Sequence, residues 1–416
     1  MKILLLDHPQ HTHNTFMLYE GIVRIIGKES ITVFPDKPLL FGNPLAHGNP
    51  LTTEMNIMNI RWYRDVHSDI FNKKILPVGI PPFAINETLN ANNEKVIGHH
   101  NVNWKSPCLA MQQSLDEDEI IELINSDYYD FIILGNSHRV PTIALARLRD
   151  RCKRLPRIIY FDAGERDEMN AHWWHVFHPD LTFKAALTPE VFAQQGTPQV
   201  PCKLFPMPLS HMDRLGTDSI LYDEKDVYSR DRQTDIICSF GPTWNTRSIV
   251  HNKVCEISQS LNLKSILSGY WPKDVASSKI GISMRGSGRD TERYWEYPAV
   301  GSALVADGTM GCMHPFPFRH KESAIFYHNL DELEAGIKYL LDDNDRRHQL
   351  AMAGYRHLTR FHTVEARALY FLGIVNQELC IDYTEQQTVQ ISKWLKKLDW
   401  PESLPDWSGP WSGYNE

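Results

Sequence analysis

"KIGISMRGSGRDTERYWEYPAVGSALVAD" runs from Lys279 to Asp307. It opens on a short apolar run and passes through a glycine-rich turn. A charged segment follows, and then a second apolar run ending in aspartate. Apolar runs of this length, bounded by turn residues, read as buried parallel strands, and the segment between them reads as the crossover helix of a βαβ unit. On a helix the charged residues Arg289, Glu292, Arg293 and Glu296 share an arc of about 100°. That predicts one helix face carrying two arginines and two glutamates, directly after a strand end.

The same alternation extends in both directions. "KILLLD", "SITVF", "DFIILG", "RIIYFD", "LTFKAAL" and "CKLFPMP" are expected strands of a first sheet, with helices over "TFMLYEGIVRIIG", "DEDEIIELINS" and residues 142–155. "TDIICSFG", "KSILSG", "KIGISM" and "SALVAD" are expected strands of a second sheet, with helices over "RSIVHNKVCEISQSL", 331–341, 343–361 and 364–379. Strands alternating with helices predict doubly wound parallel sheets. The polar, unpatterned residues 210–233 read as a linker. The expected division is 1–209, an N-terminal acceptor-binding Rossmann-like domain; 210–233, the linker; 234–363, a C-terminal nucleotide-binding Rossmann-like domain; and 364–416, a helix and aromatic tail packing back on the N-terminal domain. Residues 35–115, rich in Asn and Pro, carry no motif.

Composition bounds the function. The chain has 416 residues and a formal net charge of -8, which argues against a dedicated nucleic-acid binder. Seven scattered cysteines without a C-x-x-C pair fit a reducing compartment. The opening "MKILLLDHPQ" is too short an apolar run for a secretory leader, and no stretch approaches a membrane span. The expected setting is the cytoplasm.

In open parallel sheets, ligands bind beyond the carboxyl ends of the strands. Four loops there carry chemistry. "SFGPTWNTR" (Ser239–Arg247) places Gly241 at a turn and Arg247 in the first turn of a helix, an anion-binding arrangement for a diphosphate. It is neither a dinucleotide fingerprint nor a Walker loop. The Arg289–Glu296 stretch adds arginines for phosphate and carboxylates for ribose or sugar hydroxyls. "DHPQHTH" follows the first strand, and His11 and His13 are candidates for the base that deprotonates an acceptor hydroxyl, with a metal-binding pair that lacks a defined third ligand and a plain polar loop as the other readings. Asp162, with Glu165 and Asp167 after it, is a further candidate base or a helix cap. His172, His175 and His178 in "HWWHVFH" share a helix side, but no carboxylate motif accompanies them and no metal site is expected. "RLRDRCKR" (Arg147–Arg154) is the most basic patch, read as a solvated helix end or as a contact for an anionic acceptor, DNA included.

The residues from about 278 to about 367 resemble the C-terminal half of the spore-maturation-protein-like (CgeB-like) glycosyltransferases, relatives of the GT-B superfamily. The resemblance rests on the Ser-Lys strand entry, R-D-x-E-R (Arg289–Arg293), E-x-x-A-x-G (Glu296–Gly301), the helix "DELEAG", and H-T-x-x-x-R (His362–Arg367). It extends more weakly to Gly241 and Arg247, and to "YFDAGERDE" and "DLTFKAAL". It implies a GT-B fold, with two Rossmann-like domains facing across a cleft and a C-terminal helix crossing back to the first. It also implies a hexosyl- or pentosyltransferase that uses a nucleotide-sugar donor, UDP-sugar foremost, and needs no metal or other cofactor. Gly241, Arg247, Arg289, Glu292, Arg293 and Glu296 would line the donor site, Glu296 at the ribose. The acceptor would be a hydroxyl on a glycan or small molecule, with a hydroxylated DNA base or a non-catalytic binding role as alternatives. Gly288 stands where such enzymes often carry a second acidic residue eight positions before the ribose glutamate.

Overall fold

The computed structural model describes residues 1–7, 13–34, 88–89, 95–96, 115–135, 139–164, 176–198, 200–210, 224–240, 245–267, 273–286 and 288–404. The first part of the chain supplies β1 (Ile3–Leu6), α1 (His13–Ile26), β2 (Ile31–Phe34), the short pair β3 (Thr88–Leu89) and β4 (Lys95–Val96), α2 (Glu117–Asn125), β5 (Phe131–Gly135), α3 (Arg139–Arg151), β6 (Arg157–Asp162), β7 (Leu181–Lys184), α4 (Pro189–Phe192) and β8 (Lys203–Pro206). Then come α5 (Glu224–Ser229), β9 (Thr234–Ile237), α6 (Asn245–Ser260), β10 (Ser265–Ile266), α7 (Lys273–Ala276), β11 (Ser278–Ser283), α8 (Glu292–Ala299), β12 (Ala303–Asp307) and β13 (Ile325–Tyr327). Four long helices end the described chain: α9 (Leu330–Leu341), α10 (Asn344–Phe361), α11 (Val364–Leu379) and α12 (Glu385–Lys397).

Two sheets result. The first has the order β2-β1-β5-β6-β7-β8 and the second β10-β9-β11-β12-β13. Every pairing in both is parallel. The apolar runs that predicted these strands are buried for the reason a parallel sheet requires, since helices cover both faces. These are the two Rossmann-like α/β domains of a GT-B fold. In each sheet the strand order reverses once, between β1 and β5 and between β9 and β11.

The chain then crosses back. α11 continues from α10 but packs on α1, where a Cβ at Gly21 would lie 2.1 Å from the Val364 carbonyl oxygen. Arg24 of α1 bonds Glu365 at 2.7 Å and also pairs with Glu20. α12 follows onto the same domain. Its buried Gln387 donates to the Met1 carbonyl at 2.8 Å and to Ser30 Oγ at 3.0 Å, and Trp394 Nε1 donates to the Arg24 carbonyl at 3.3 Å.

Other contacts join the domains. Met313, in the loop after β12, is fully buried in the apolar core of the first domain, and its N–H donates to the Leu187 carbonyl at 2.7 Å. Leu209 is held by both of its backbone polar groups. Its N–H donates to Asp290 Oδ2 at 2.5 Å, and its carbonyl accepts from Arg367 Nη2 at 3.3 Å.

Several expectations change. The segment read as linker contains helix α5. β13 and α12 were not anticipated. The tail residue Trp400 packs its ring on Phe316 and Phe361, at centroid distances of 5.3 and 5.9 Å, so it sits at the domain seam rather than on the N-terminal domain alone. His172, His175, Glu165, Asp167 and the remaining tail aromatics lie outside the described residues.

Candidate active site

The strand reversal between β9 and β11 leaves a crevice that their loops must line. Those two loops are the ones carrying the arginines. Arg247, in the first turn of α6, lies across Gly286 after β11. Its Nε donates to the Arg285 carbonyl at 3.2 Å, and its guanidinium stacks 5.4 Å above the Phe240 ring. A Cβ at Gly286 would meet Arg247 Nη2 at 2.5 Å, so the absence of a side chain there admits the arginine.

The sequence reading placed Arg289 on the same helix arc as the glutamates. The structure corrects this, because α8 starts at Glu292 after an extended Thr291 at φ −135°. Arg289 is half-buried in the preceding loop and reaches toward the loop after β12, where a Cβ at Gly311 would lie 2.7 Å from its Nη1.

Glu292, Arg293 and Glu296 do share one face of α8. Arg293 Nη1 bonds Glu292 Oε2 at 3.2 Å, and Nε lies 3.7 Å from Glu296 Oε2. The same Nε donates to the Ser239 carbonyl at 2.9 Å. Burial works against the Arg293 charge, and the carboxylates of Glu296 and Glu292 more than offset it, so its pKa is raised. Arg293 therefore braces α8 against the end of β9. Tyr297 does the same one turn on, where its hydroxyl accepts the Ser239 N–H at 3.0 Å. Glu296 is buried beside this brace.

Sequence reasoning missed two members of the cluster. Asp307 ends β12 with its Oδ1 accepting from Thr309 N and Oγ1 at 2.8 and 2.6 Å, while Arg285 Nε lies 3.9 Å from its buried Oδ2. The strand-end rule applied to "SALVAD" points to Asp307, and the "RGSG" turn hid Arg285. Arginines 247, 285, 289 and 293 thus gather at one strand edge with Glu292, Glu296 and Asp307. Such a set can hold a diphosphate through guanidinium forks and a sugar or ribose hydroxyl through carboxylates.

On the first domain, Asp162 ends β6 almost fully buried. Its carboxylate bonds Lys184 Nζ of β7 at 3.1 Å and accepts the Gly164 N–H at 3.0 Å. This partnering holds the carboxylate in the sheet edge, and a base role requires its release from Lys184. His13 is the first residue of α1, while His11 and Gly241 lie outside the described residues. Asp7, at the end of β1, is fully buried at the strand reversal of its own sheet, facing Gly135.

The basic patch on α3 is partly matched within the fold. Arg147 and Arg151 pair with Glu117 at 2.9 and 2.8 Å, Arg151 also with Asp118 at 2.5 Å. Arg149 donates to the carbonyls of Val176 and Phe177 at 2.6 and 3.1 Å. Among the described residues no group of three or more His, Cys, Asp or Glu is placed to hold a metal ion, and no helix is long and apolar enough to cross a membrane.

Residues 231–373 match the family model described as glycosyl transferase-like. Over that span the chain is similar to glycosyl transferase-like domains. The matched span runs from just before β9 into α11 and contains the whole arginine–carboxylate cluster. No curated protein matches the chain. Among solved structures the chain is similar to a glycosyltransferase from Rickettsia africae ESF-5, with a TM-score of 0.49 and 11% identity over 92% of this chain and 99% of that one. It is also similar to Anabaena Alr3699/HepE in complex with UDP, with a TM-score of 0.47 and 12% identity over 91% and 100%. A third is an alpha-glucosyltransferase in complex with UDP and a 13-mer DNA containing a central A:G mismatch, with a TM-score of 0.37 and 13% identity over 60% and 78%.

Proposed function

We propose that the protein transfers a sugar from a nucleotide diphosphate donor, a UDP-sugar, to a hydroxyl acceptor on a glycan or small molecule, in the manner of the CgeB-like enzymes it resembles. The observation that carries this reading is the gathering of four arginines and three carboxylates at the strand reversal of the C-terminal domain. In the proposed reaction the bond between the sugar's anomeric carbon and the phosphate oxygen breaks, and the acceptor oxygen bonds that carbon. Arg247, Arg285 and Arg289 stabilise the charge that develops on the leaving diphosphate. Glu296 accepts a ribose hydroxyl. Glu292 faces the donor sugar, the place left without a carboxylate by Gly288. The acceptor proton passes to His11, His13 or Asp162 if the anomeric configuration inverts, and to the leaving phosphate if it is retained. No resident metal enters this scheme.

The pairing of Arg147 and Arg151 with Glu117 and Asp118 supports a neutral or small acceptor over DNA, because phosphate neutralisation needs cations whose charge is not already matched.

Hydrolysis or transfer with UDP-sugars by the purified chain tests the reading. Arg289→Ala is expected to abolish turnover. Glu296→Gln is expected to raise the donor KM by about tenfold, because the hydrogen-bond acceptor loses its charge. Turnover unchanged in both variants, or no nucleoside diphosphate raising the melting temperature of the wild type, overturns it.

A further inference from the structure

Both passages of the chain between the two domains meet at one buried point. Leu209 lies on the segment by which the chain leaves β8, and Arg367 lies in the first turn of α11, by which it returns. Asp290 joins them from the loop between β11 and α8. Its Oδ2 accepts the Leu209 N–H at 2.5 Å, and its Oδ1 accepts Trp295 Nε1 at 3.0 Å. Arg367 Nη2 donates to the Leu209 carbonyl at 3.3 Å and to His362 Nδ1 at 2.9 Å, with the guanidinium 5.2 Å from the Trp295 ring centre. Asp290 of the R-D-x-E-R pattern and both ends of H-T-x-x-x-R therefore share one node.

The node is a costly way to fill a seam. Arg367 is 2% exposed, and its Nε and Nη1 are buried without a hydrogen bond among the described residues. Burial lowers its pKa to about 10 and raises that of Asp290 to about 7. Buried ionic groups of this kind add little stability, and well-packed apolar side chains often do as well or better.

The loop that carries Asp290 also carries Arg289. Gly286 and Gly288 precede Arg289, and glycine constrains the backbone little. On the other side α8 begins only at Glu292. The Thr291 side chain caps no backbone N–H there, and its hydroxyl meets Ser283 Oγ of β11 at 3.3 Å. Asp290, next to Arg289 in the chain, anchors this loop outside its own βαβ unit.

We propose that Asp290 is a positioning residue of the donor site: with Arg367 holding the other side of Leu209, it fixes the backbone from which Arg289 reaches the donor diphosphate, and donor affinity thereby depends on the join between the domains. This rests on the nucleotide-sugar reading of that site. The ionised carboxylate is the stronger acceptor for both of its donors, so the hold on Arg289 tightens as pH rises through the titration of Asp290. Arg367 from α11, His362 before it and His314 from the loop after β12 pack around Trp295 beside Asp290, and Tyr294 and Tyr370 border Arg367. Burial lowers the His314 pKa to about 3 and that of His362 well below the usual imidazole range, and it raises that of Tyr370. These three therefore stay neutral while Asp290 changes charge.

The test is the dissociation constant of UDP from the full-length chain, measured by calorimetry. Asp290→Asn is expected to weaken UDP binding about tenfold at about pH 8, and much less at about pH 5.5, where the wild-type carboxyl is itself neutral. The proton equilibria of UDP cancel in the ratio of the two proteins. In an Arg289→Ala background the same substitution is expected to cost nothing further, because it acts through Arg289. Arg367→Lys keeps the cation, loses the guanidinium fork and leaves Asp290 in place; it should also weaken UDP binding. A loss in Asp290→Asn that is absent, independent of pH or equal in both backgrounds overturns the proposal, as does unchanged binding in Arg367→Lys, while UDP binding to the wild type leaves the donor site standing. Failure of the wild type to bind UDP overturns both.

Discussion

Asp290 shows how much one side chain next to the candidate donor site does for the rest of the molecule. It follows Arg289, yet its carboxylate points inward and holds the Leu209 N–H and Trp295 Nε1, the latter at 3.0 Å. Burial raises its pKa to about 7, and the hydrogen bonds and the Arg367 charge only partly oppose that rise. In the unfolded chain the same carboxyl titrates near 4. Between about pH 4 and 7 the folded state therefore holds one proton more than the unfolded state, and stability falls as pH rises through that window. The buried rings of His314 and His357 act in the opposite sense. Burial lowers their pKa values to about 3 and about 4, so their contribution is complete above about 6.5 and is lost as pH falls. Asp290→Asn keeps the shape and removes the titration, while the acceptor it gives up lowers stability equally at every pH. Its melting temperature, plotted against pH relative to wild type, should rise from pH 4 to 7 and level off above. Parallel profiles for the two proteins would show that Asp290 does not titrate there.

At the scale of elements, α8 is seated by what β11 lacks. A Cβ at Gly281 would lie 2.3 Å from the Tyr297 ring, and Tyr297 cannot retreat, since it is fully buried with its hydroxyl on Ser239. Gly281→Ala should lower unfolding free energy by about 1–3 kcal/mol, the usual cost of overpacking a filled core, read from urea denaturation. A cost near zero would mean that α8 slides freely on the sheet. This contact also marks where reading the sequence stops. The strands with four or more continuous apolar residues, such as "RIIYFD" and "SALVAD", were legible because a doubly covered strand needs that pattern. β13 shows only "IFY", and α12 carries few apolar residues among its glutamines and lysines, so neither stood out from loop. The site was legible to the extent that it followed strand ends, which brought in Arg247, Glu292, Arg293 and Glu296. Arg289 was assigned to the right region but to the wrong element, because a 100° step holds only after the helix has begun, and Thr291 delays it. Asp290's grip on Leu209, across 81 residues of sequence, leaves no local trace at all.

The whole molecule is held together by contacts that ignore the order of the chain. α11 is continuous with the C-terminal domain, yet it packs on the first: Gly21 admits the Val364 carbonyl, Arg24 pairs with Glu365, and the Phe371 ring packs tilted on Phe183 at 4.7 Å. Met313 and the clasp on Leu209 add two further ties. Unfolding either domain alone would expose the apolar surface of α11 or of its seat on α1, so the domains are expected to melt as one cooperative unit. Gly21→Ala tests that coupling at its closest point. A methyl group 2.1 Å from a carbonyl oxygen must push α11 off α1, while the methyl itself meets only Val364 and Ala368 and neither the second sheet nor the arginine cluster. Scanning calorimetry should then resolve two transitions in place of one, with the earlier belonging to the first domain and the later keeping any stabilisation by nucleotide. If the variant still melts in a single transition at the wild-type temperature, the crossing helix is not what couples the two domains.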